Sequence, residues 1–360
     1  MRLNLIFRFI FMILFQCYGI TQDQNTREYM MVLNYCDDGN LRNYLNISKD
    51  YIDYGKKINK LQQIARGLLD IHNAGKVHKD FHSGNILYNS NYPYISDLGM
   101  CQPANKEQTV KEEGIYGVLP YMAPEVLRGH QYTKAADIYS FGIMMNEFLS
   151  EEIPFNDIPH DEFLAIKICK GLRPKISEDI PKLLADLIMK CWDAEIKNRP
   201  TTKELYQLLD KWNNQLLNKW DNEMQNIEDS EDDEDNEDDE DNEGCKNSEN
   251  VKDSENSENS QKSEICLQIE KCDKIGKEKF KNRSNENKSK SIQTHPQAIY
   301  TSRLINFKNL PKPVNSTSIQ INSDVNYNIQ SASTNPISEC LDVQLSELEL
   351  SEICQSDESN

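Results

Sequence analysis

No two of the ten cysteines stand at C-x-x-C spacing and none clusters with histidine, so the sequence offers no structural zinc site. Thiols scattered in this way suit a reducing compartment, and the expected location is cytoplasmic. Cys17 and Cys191 lie in apolar surroundings and are expected in a core. The N-terminal apolar run, Leu3 to Phe15, is too short for a bilayer span and Arg8 interrupts it. Behind Arg2 it has the length of a signal-peptide core, although a buried strand or helix has the same composition. Basic residues are missing from 228–243, "EDSEDDEDNEDDEDNE", which holds thirteen acidic ones. Most of the chain's net charge of −19 therefore sits in one stretch. Such a polyanion repels phosphates, which excludes general nucleic-acid binding.

A length of 360 residues allows one or two domains. Residues 17–36 read as two strands joined by the polar turn "DQNTRE". In 58–71, Ile58, Leu61, Ile64, Ala65, Leu68, Leu69 and Ile71 recur at helical spacing, and Gly75 stops the helix. "PYISD" at 93–97 suggests a short strand. Helices are expected at 134–149, 160–170, 181–192 and 202–217, separated by breaks that contain Pro or Gly. Strands followed by helices indicate an α+β fold. From 221 to about 290 the chain is mostly Asp, Glu, Asn, Ser and Lys, too poor in apolar surface to offset chain entropy, and reads as disordered. Residues 296–320 hold sparse apolar groups that suit a short linear motif. Residues 341–353 suit one transient amphipathic helix.

The chemistry concentrates in "KVHKDFHSGNIL", residues 76–87. Phosphoryl transfer needs an oriented acceptor hydroxyl, metal ions on the phosphates and charge stabilisation. Asp80 could orient or deprotonate a hydroxyl. Asn85, five residues on, could hold a metal ion. Asp97, in "SDLGM" after the expected strand, could supply a second oxygen ligand to magnesium. Each motif alone also fits an ordinary turn. In series they form a catalytic layout.

From about Leu14 to Trp212 the sequence resembles a eukaryotic protein kinase catalytic domain. "HKDFHSGN" resembles the HRDLxxxxN catalytic loop, and "DLG" resembles DFG. "YMAPE" at 121–125 resembles the close of the activation loop. "DIYSFG" at 137–142 and "CWDAEIKNRP" at 191–200 resemble two later helical segments. "YGITQD" and "GVLPYMAPEVL" are similar in style to fungal tyrosine-kinase-like members. The resemblance implies ATP and Mg2+ as cofactors and a protein as substrate, in signal transduction. It implies Asp80 as catalytic base and Asn85 and Asp97 as metal ligands, with His78 as a structural part of the loop. Glu125 would pair with Arg199, and Asp137 would hold the catalytic-loop backbone. Leu33 would be the gatekeeper, and the backbone of Asn34 and Cys36 would contact adenine.

The sequence also departs from the family. "LFQCYGIT" at 14–21 aligns with the fourth strand of the upper lobe, and no GxGxxG or VAIK-like lysine precedes it. The expected organisation is an apolar segment at 1–13, a partial kinase domain with a truncated upper lobe and a mostly helical lower lobe at 14–217, and a disordered acidic tail at 218–360. An incomplete gene product accounts best for the missing parts. A degenerate kinase and a secreted kinase-like protein are alternatives, as is an inactive pseudokinase-like interaction protein. Lys79 stands in the place of an arginine and cannot grip a phosphate bidentately, though Thr109 and Tyr116 lie in the activation loop. His82 and Val118 replace the lysine–threonine pair of serine/threonine kinases, so hydroxyl specificity stays open.

Overall fold

The computed structural model describes residues 17–48, 50–104, 115–231, 263–285 and 294–315. Strands β1 (Cys17–Gln22) and β2 (Tyr29–Leu33) pair antiparallel, Cys17 opposite Leu33. The Asp23 carboxylate closes their turn by accepting from the backbone N–H of Asn25 at 2.7 Å and of Thr26 at 2.9 Å. All five β2 residues are exposed. Cys17 is exposed too, against the expectation of a core position, because it lies on this thin hairpin; Cys191 is buried as expected.

Asn40 caps α1 (Leu41–Ile47), accepting from Asn43 N at 3.1 Å. Asp53 caps α2 (Tyr54–Asn73) in the same way at 2.8 Å. The periodic residues Ile58, Leu61, Ile64, Ala65, Leu68 and Ile71 form the buried face of α2. Gly75, at φ +72°, ends the helix by donating to His72 O. The chain then passes through β3 (Lys76–Val77), β4 (Ile86–Asn89), β5 (Tyr92–Ile95), β6 (Gln102–Pro103) and β7 (Ile115–Gly117). Strands β4 and β5 form a two-residue hairpin with both turn residues, Ser90 and Asn91, at positive φ. Strand β3 pairs with β6. Thr109, expected in the activation loop, lies outside the described residues.

Short α3 (Pro124–Leu127) leads to α4 (Lys134–Ser150), which is buried from Ala136 to Ser150 and forms the centre of the lower lobe. It is hydrophobic on all sides because other elements surround it. Helix α6 (Lys182–Cys191) packs against α4, α5 (Glu162–Cys169) against α3, and α7 (Thr202–Glu231) against α2. Gly142 sets the approach of α4 to α6: a Cβ there would stand 2.7 Å from Cys191 Cβ. A capping box opens α7, with Thr201 and Glu204 bonding each other's backbone N–H groups.

The expected disorder after 218 needs correction in three places. Helix α7 runs on to Glu231. A further helix, α8 (Glu264–Asn285), packs against α2 and α7 through Ile265, Cys266, Ile269 and Cys272. Residues 294–315 also lie on the lower lobe, and β8 (Arg303–Ile305) pairs antiparallel with β7. Composition hid α8, because its few apolar residues recur at three- and four-residue spacing within a charged segment and need only a narrow groove. Most of the acidic run, from 232 onward, lies outside the described residues, as do residues 341–353.

One carboxylate anchors α8. Asp273 accepts from Tyr54 N at 2.9 Å and from the Tyr51 hydroxyl at 3.0 Å. Burial raises its pKa above the ordinary carboxylate value, and these two hydrogen bonds offset that only in part. A carboxyl raised on folding favours the fold while protonated and opposes it once ionised, so its contribution falls as pH rises through the folded value. Asp273→Asn, which keeps the acceptor and removes the charge, is expected to raise the thermal midpoint at neutral pH. The gain should shrink as the pH of the melt is lowered. A midpoint that drops at neutral pH would show that the ionised carboxylate is the stabilising form.

Candidate active site

The loop from β3 to β4, expected to be the catalytic loop, is fastened from below by Asp137, at the start of α4. One Asp137 oxygen accepts from His78 N at 2.8 Å and the other from Lys79 N at 3.0 Å. His72 Nε2 adds a contact at 2.8 Å, and its other ring nitrogen meets Thr202 Oγ1. Asp137 is 1 % exposed, so its charge is compensated by donors rather than by water. These bonds hold Lys79 at φ +74°, a conformation a lysine rarely adopts.

His78 joins the loop to the segment that carries Asp97. It is fully buried, with Nε2 3.1 Å from Ser96 O and Nδ1 accepting from Asp80 N at 3.3 Å. Those partners require the neutral tautomer with the proton on Nε2. Burial pushes its pKa below the ordinary histidine value, against the pull of Asp137, and keeps the ring neutral.

Asp80 is 3 % exposed. Its Oδ2 accepts from the Ser302 hydroxyl at 2.5 Å, and its Oδ1 lies 3.6 Å from His82 Nε2. Burial pushes the carboxyl up, but the His82 ring beside it and the Ser302 bond outweigh it and hold the pKa below the usual carboxylate range. A carboxylate held in this way can orient a hydroxyl and take its proton. Asn85 Nδ2 donates to Asp80 O at 2.9 Å, which leaves its Oδ1 as the atom available to a cation. Ser96 bonds the Asn85 carbonyl through both N and Oγ, at 2.8 and 3.0 Å. Asp97 follows at φ +54° with an exposed carboxylate. Asn85 and Asp97 offer hard oxygen donors, the kind Mg2+ takes alongside phosphate oxygens and water. Among the described residues no group of three His, Cys, Asp or Glu side chains forms a metal cage. A phosphate-bound Mg2+ does not need one.

Glu125 and Arg199 form a bidentate pair at 2.7 and 2.8 Å, and the Arg199 side chain is fully buried. Two further guanidinium donors reach Asp193 O and Ala135 O, and the Tyr139 ring lies 5.2 Å away. Leu33 ends β2, and Asn34 Oδ1 accepts from Tyr18 at 3.2 Å. Cys36 is buried, and its carbonyl accepts from Gly39 N at 3.1 Å. Gly39 O and Tyr88 N bond at 2.8 Å, tying this connection to β4. Among the described residues no hydrogen bond joins Leu33 or Asn34 to the catalytic loop. The structure thus gathers His78, Asp80, Asn85 and Asp137 into one network, with Asp97 on the segment it holds. Leu33 and Asn34 stand apart on the hairpin.

One buried cluster escaped the sequence reading. Glu147, 1 % exposed in α4, accepts from Arg42 at 2.8 Å, from Ser83 at 3.0 Å and from the Tyr121 hydroxyl at 2.5 Å. Arg42 also donates to Tyr121 at 2.8 Å. The cluster pins α1, the catalytic loop and the end of the activation segment to α4. The signal in the sequence is a lone glutamate inside the apolar stretch "FGIMMNEFL".

Residues 5–209 match the family model described as protein tyrosine and serine/threonine kinase. The chain is similar to the probable serine/threonine-protein kinase gdt2 of Dictyostelium discoideum, 32% identical over 194 residues that cover 51% of this chain and 12% of that protein. It is also similar to the serine/threonine/tyrosine-protein kinase HT1 of Arabidopsis thaliana, 30% identical over 186 residues, 51% of this chain and 47% of the relative. A third relative, the RGS domain-containing serine/threonine-protein kinase A of Dictyostelium discoideum, is 28% identical over 187 residues, 52% of this chain and 16% of its own length. The chain thus spans less than half the length of each of these proteins. With the family model covering more than half of its residues, this chain belongs to the protein tyrosine and serine/threonine kinase family.

Proposed function

We propose that this chain transfers the γ-phosphoryl group of ATP to a protein hydroxyl, as part of cytoplasmic signal transduction. The observation that carries the reading is the buried Asp80 carboxylate with a serine hydroxyl hydrogen-bonded to it at 2.5 Å. Asp80 acts as the base that orients the acceptor hydroxyl and receives its proton. Asn85 and Asp97 would hold Mg2+, which supplies charge neutralisation on the phosphates when bound. His78 and Asp137 keep the loop in register, and the Glu125–Arg199 pair holds the end of the activation segment. The backbone of Asn34 and Cys36, after Leu33, would contact the adenine. Among the described residues the cysteines are free thiols, which supports a reducing compartment. No helix of the described residues is long and apolar enough to cross a membrane.

Magnesium binding tests the reading directly. Mg-ATP is expected to raise the thermal midpoint of the purified protein, by about 2.7 kcal/mol of stabilisation at a hundredfold excess over Kd. Asp97→Asn should lose most of that rise with little change in the ligand-free midpoint, because the side chain is exposed and asparagine tolerates the same left-handed backbone. A chain that serves only as an interaction module would show no shift with Mg-ATP in either form.

A further inference from the structure

The segment from 294 to 315 crosses the lower lobe through the place where an acceptor peptide must lie. His295 N donates to Asn156 O at 2.8 Å, and His160 N donates to Gln297 O at 3.0 Å. Tyr300 donates to Pro154 O at 2.8 Å, and its ring lies under the Arg42 guanidinium at 4.2 Å and against the His160 ring at 4.7 Å. Arg303 bonds His160 O. Arg303, Leu304 and Ile305 then pair with Gly117, Tyr116 and Ile115 of the activation segment. Ile305 and Leu310 are buried, Leu310 O accepts from Arg128 at 3.3 Å, and Val314 N donates to Cys169 O at 3.0 Å.

Strand pairing of this kind fixes which residue faces the catalytic loop. That residue is Ser302, one position before the strand. Its hydroxyl donates to Asp80 Oδ2 at 2.5 Å and lies 3.4 Å from His82 Nε2. Thr301, its neighbour, is exposed. The bland alternative, a tail adhering to whatever surface is apolar, does not require a hydroxyl on the Asp80 carboxylate. A serine side chain also sets the acceptor class that the His82 and Val118 replacements leave open.

We propose that Ser302 is an intramolecular phosphoacceptor, presented to Asp80 by the β7–β8 pairing, with Mg-ATP as the donor. The proposal rests on the kinase reading above. In the step, a bond forms between Ser302 Oγ and the γ-phosphorus while the bond from that phosphorus to the β–γ bridging oxygen breaks. ADP leaves with the bonding pair, and the serine proton passes to Asp80 and on to solvent. The product sets a phosphate of nearly two negative charges beside the Asp80 carboxylate. Repulsion then expels the segment and opens the cleft to other substrates. The tail is thus the first substrate and, until it is modified, an occupant that excludes the rest.

The test incubates the full chain with Mg-ATP and maps phosphosites by mass spectrometry, with dephosphorylated casein as an external substrate. Phosphate is expected on Ser302, at a rate independent of protein concentration, and a lag in casein phosphorylation should end as Ser302 fills. Ser302→Ala should lose that site without a new one at Thr301. Ile305→Asp, which places a charge where the strand is buried, should lower the Ser302 rate by roughly tenfold or more through loss of the docked population. The same variant should shorten the lag on casein. Casein phosphorylated with Ser302 left unmodified would overturn the proposal and leave the kinase reading standing. A Ser302 rate that scales with protein concentration would overturn the intramolecular step. Absence of phosphate from both would end the kinase reading and this proposal together.

Discussion

Asp80→Asn is expected to lower the turnover of phosphoryl transfer by roughly 10²–10⁴-fold, the range for loss of a positioned general base. Asparagine keeps the shape and can still accept the Ser302 hydroxyl bond, but it cannot take the proton. The fold should hold, since the loop is fastened through Asp137 and His78 and not through the Asp80 carboxylate. The pH profile should show the same dependence. The His82 ring beside it and the bond from Ser302 keep the Asp80 carboxyl below its usual range despite burial, so the carboxylate stays ionised at neutral pH. A depressed folded pKa stabilises the fold above the unfolded carboxyl value, about 3.9, and that contribution is lost as pH falls through the folded value. Activity should therefore show no acid limb from Asp80 near neutrality. Steady-state turnover of the parent and variant, each with its melting curve, checks the expectation. Equal turnover would remove Asp80 from the chemistry.

Glu125→Ala is expected to destabilise the lower lobe by about 3–5 kcal/mol, the cost of leaving one member of a buried ion pair without its partner. The Arg199 side chain has no exposure through which water could replace the carboxylate. Two of its other donors are already engaged with Asp193 O and Ala135 O, so these cannot turn to cover the loss. The effect should extend to the activation segment, because Glu125 lies in α3 directly after "YMAP". Urea unfolding followed by tryptophan fluorescence reads the change through Trp192, buried beside this region. Glu125→Gln should fall between the two, since it keeps one acceptor oxygen and removes the charge. An unchanged urea midpoint for the alanine variant would mean that the pair carries no net stability.

The local elements were legible because they rest on local physics. Apolar spacing gives α2 and α6, Asp53 and Thr133 side chains start α2 and α4, and Gly75 ends α2. The paired residues Asp80 and Asn85 were legible for the same reason: they share one short loop, and the chain itself sets their separation. The resemblance brought in Asp137, Glu125 and Arg199, which no spacing rule links to the loop. Their partners lie 58 and 74 residues away along the chain, and only packing of α4 and the 191–200 segment brings them together.

Contacts made through long-range burial were decided by the tertiary structure. Glu147 reads as a misplaced charge until Arg42, Ser83 and Tyr121 converge on it from three other segments. Helix α8 is too polar for composition to reveal, and it becomes stable where α2 and α7 leave a groove for Ile265, Ile269 and Cys272. The sequence alone marked 296–320 only as a sparse apolar stretch. Its meaning came from strand pairing between residues nearly two hundred positions apart, which sets the Ser302 hydroxyl on Asp80. Local propensity determines which segments become helices and loops, because each involves near neighbours in the chain. Which distant groups neutralise a buried charge, and which hydroxyl meets the Asp80 carboxylate, depends on how those segments pack.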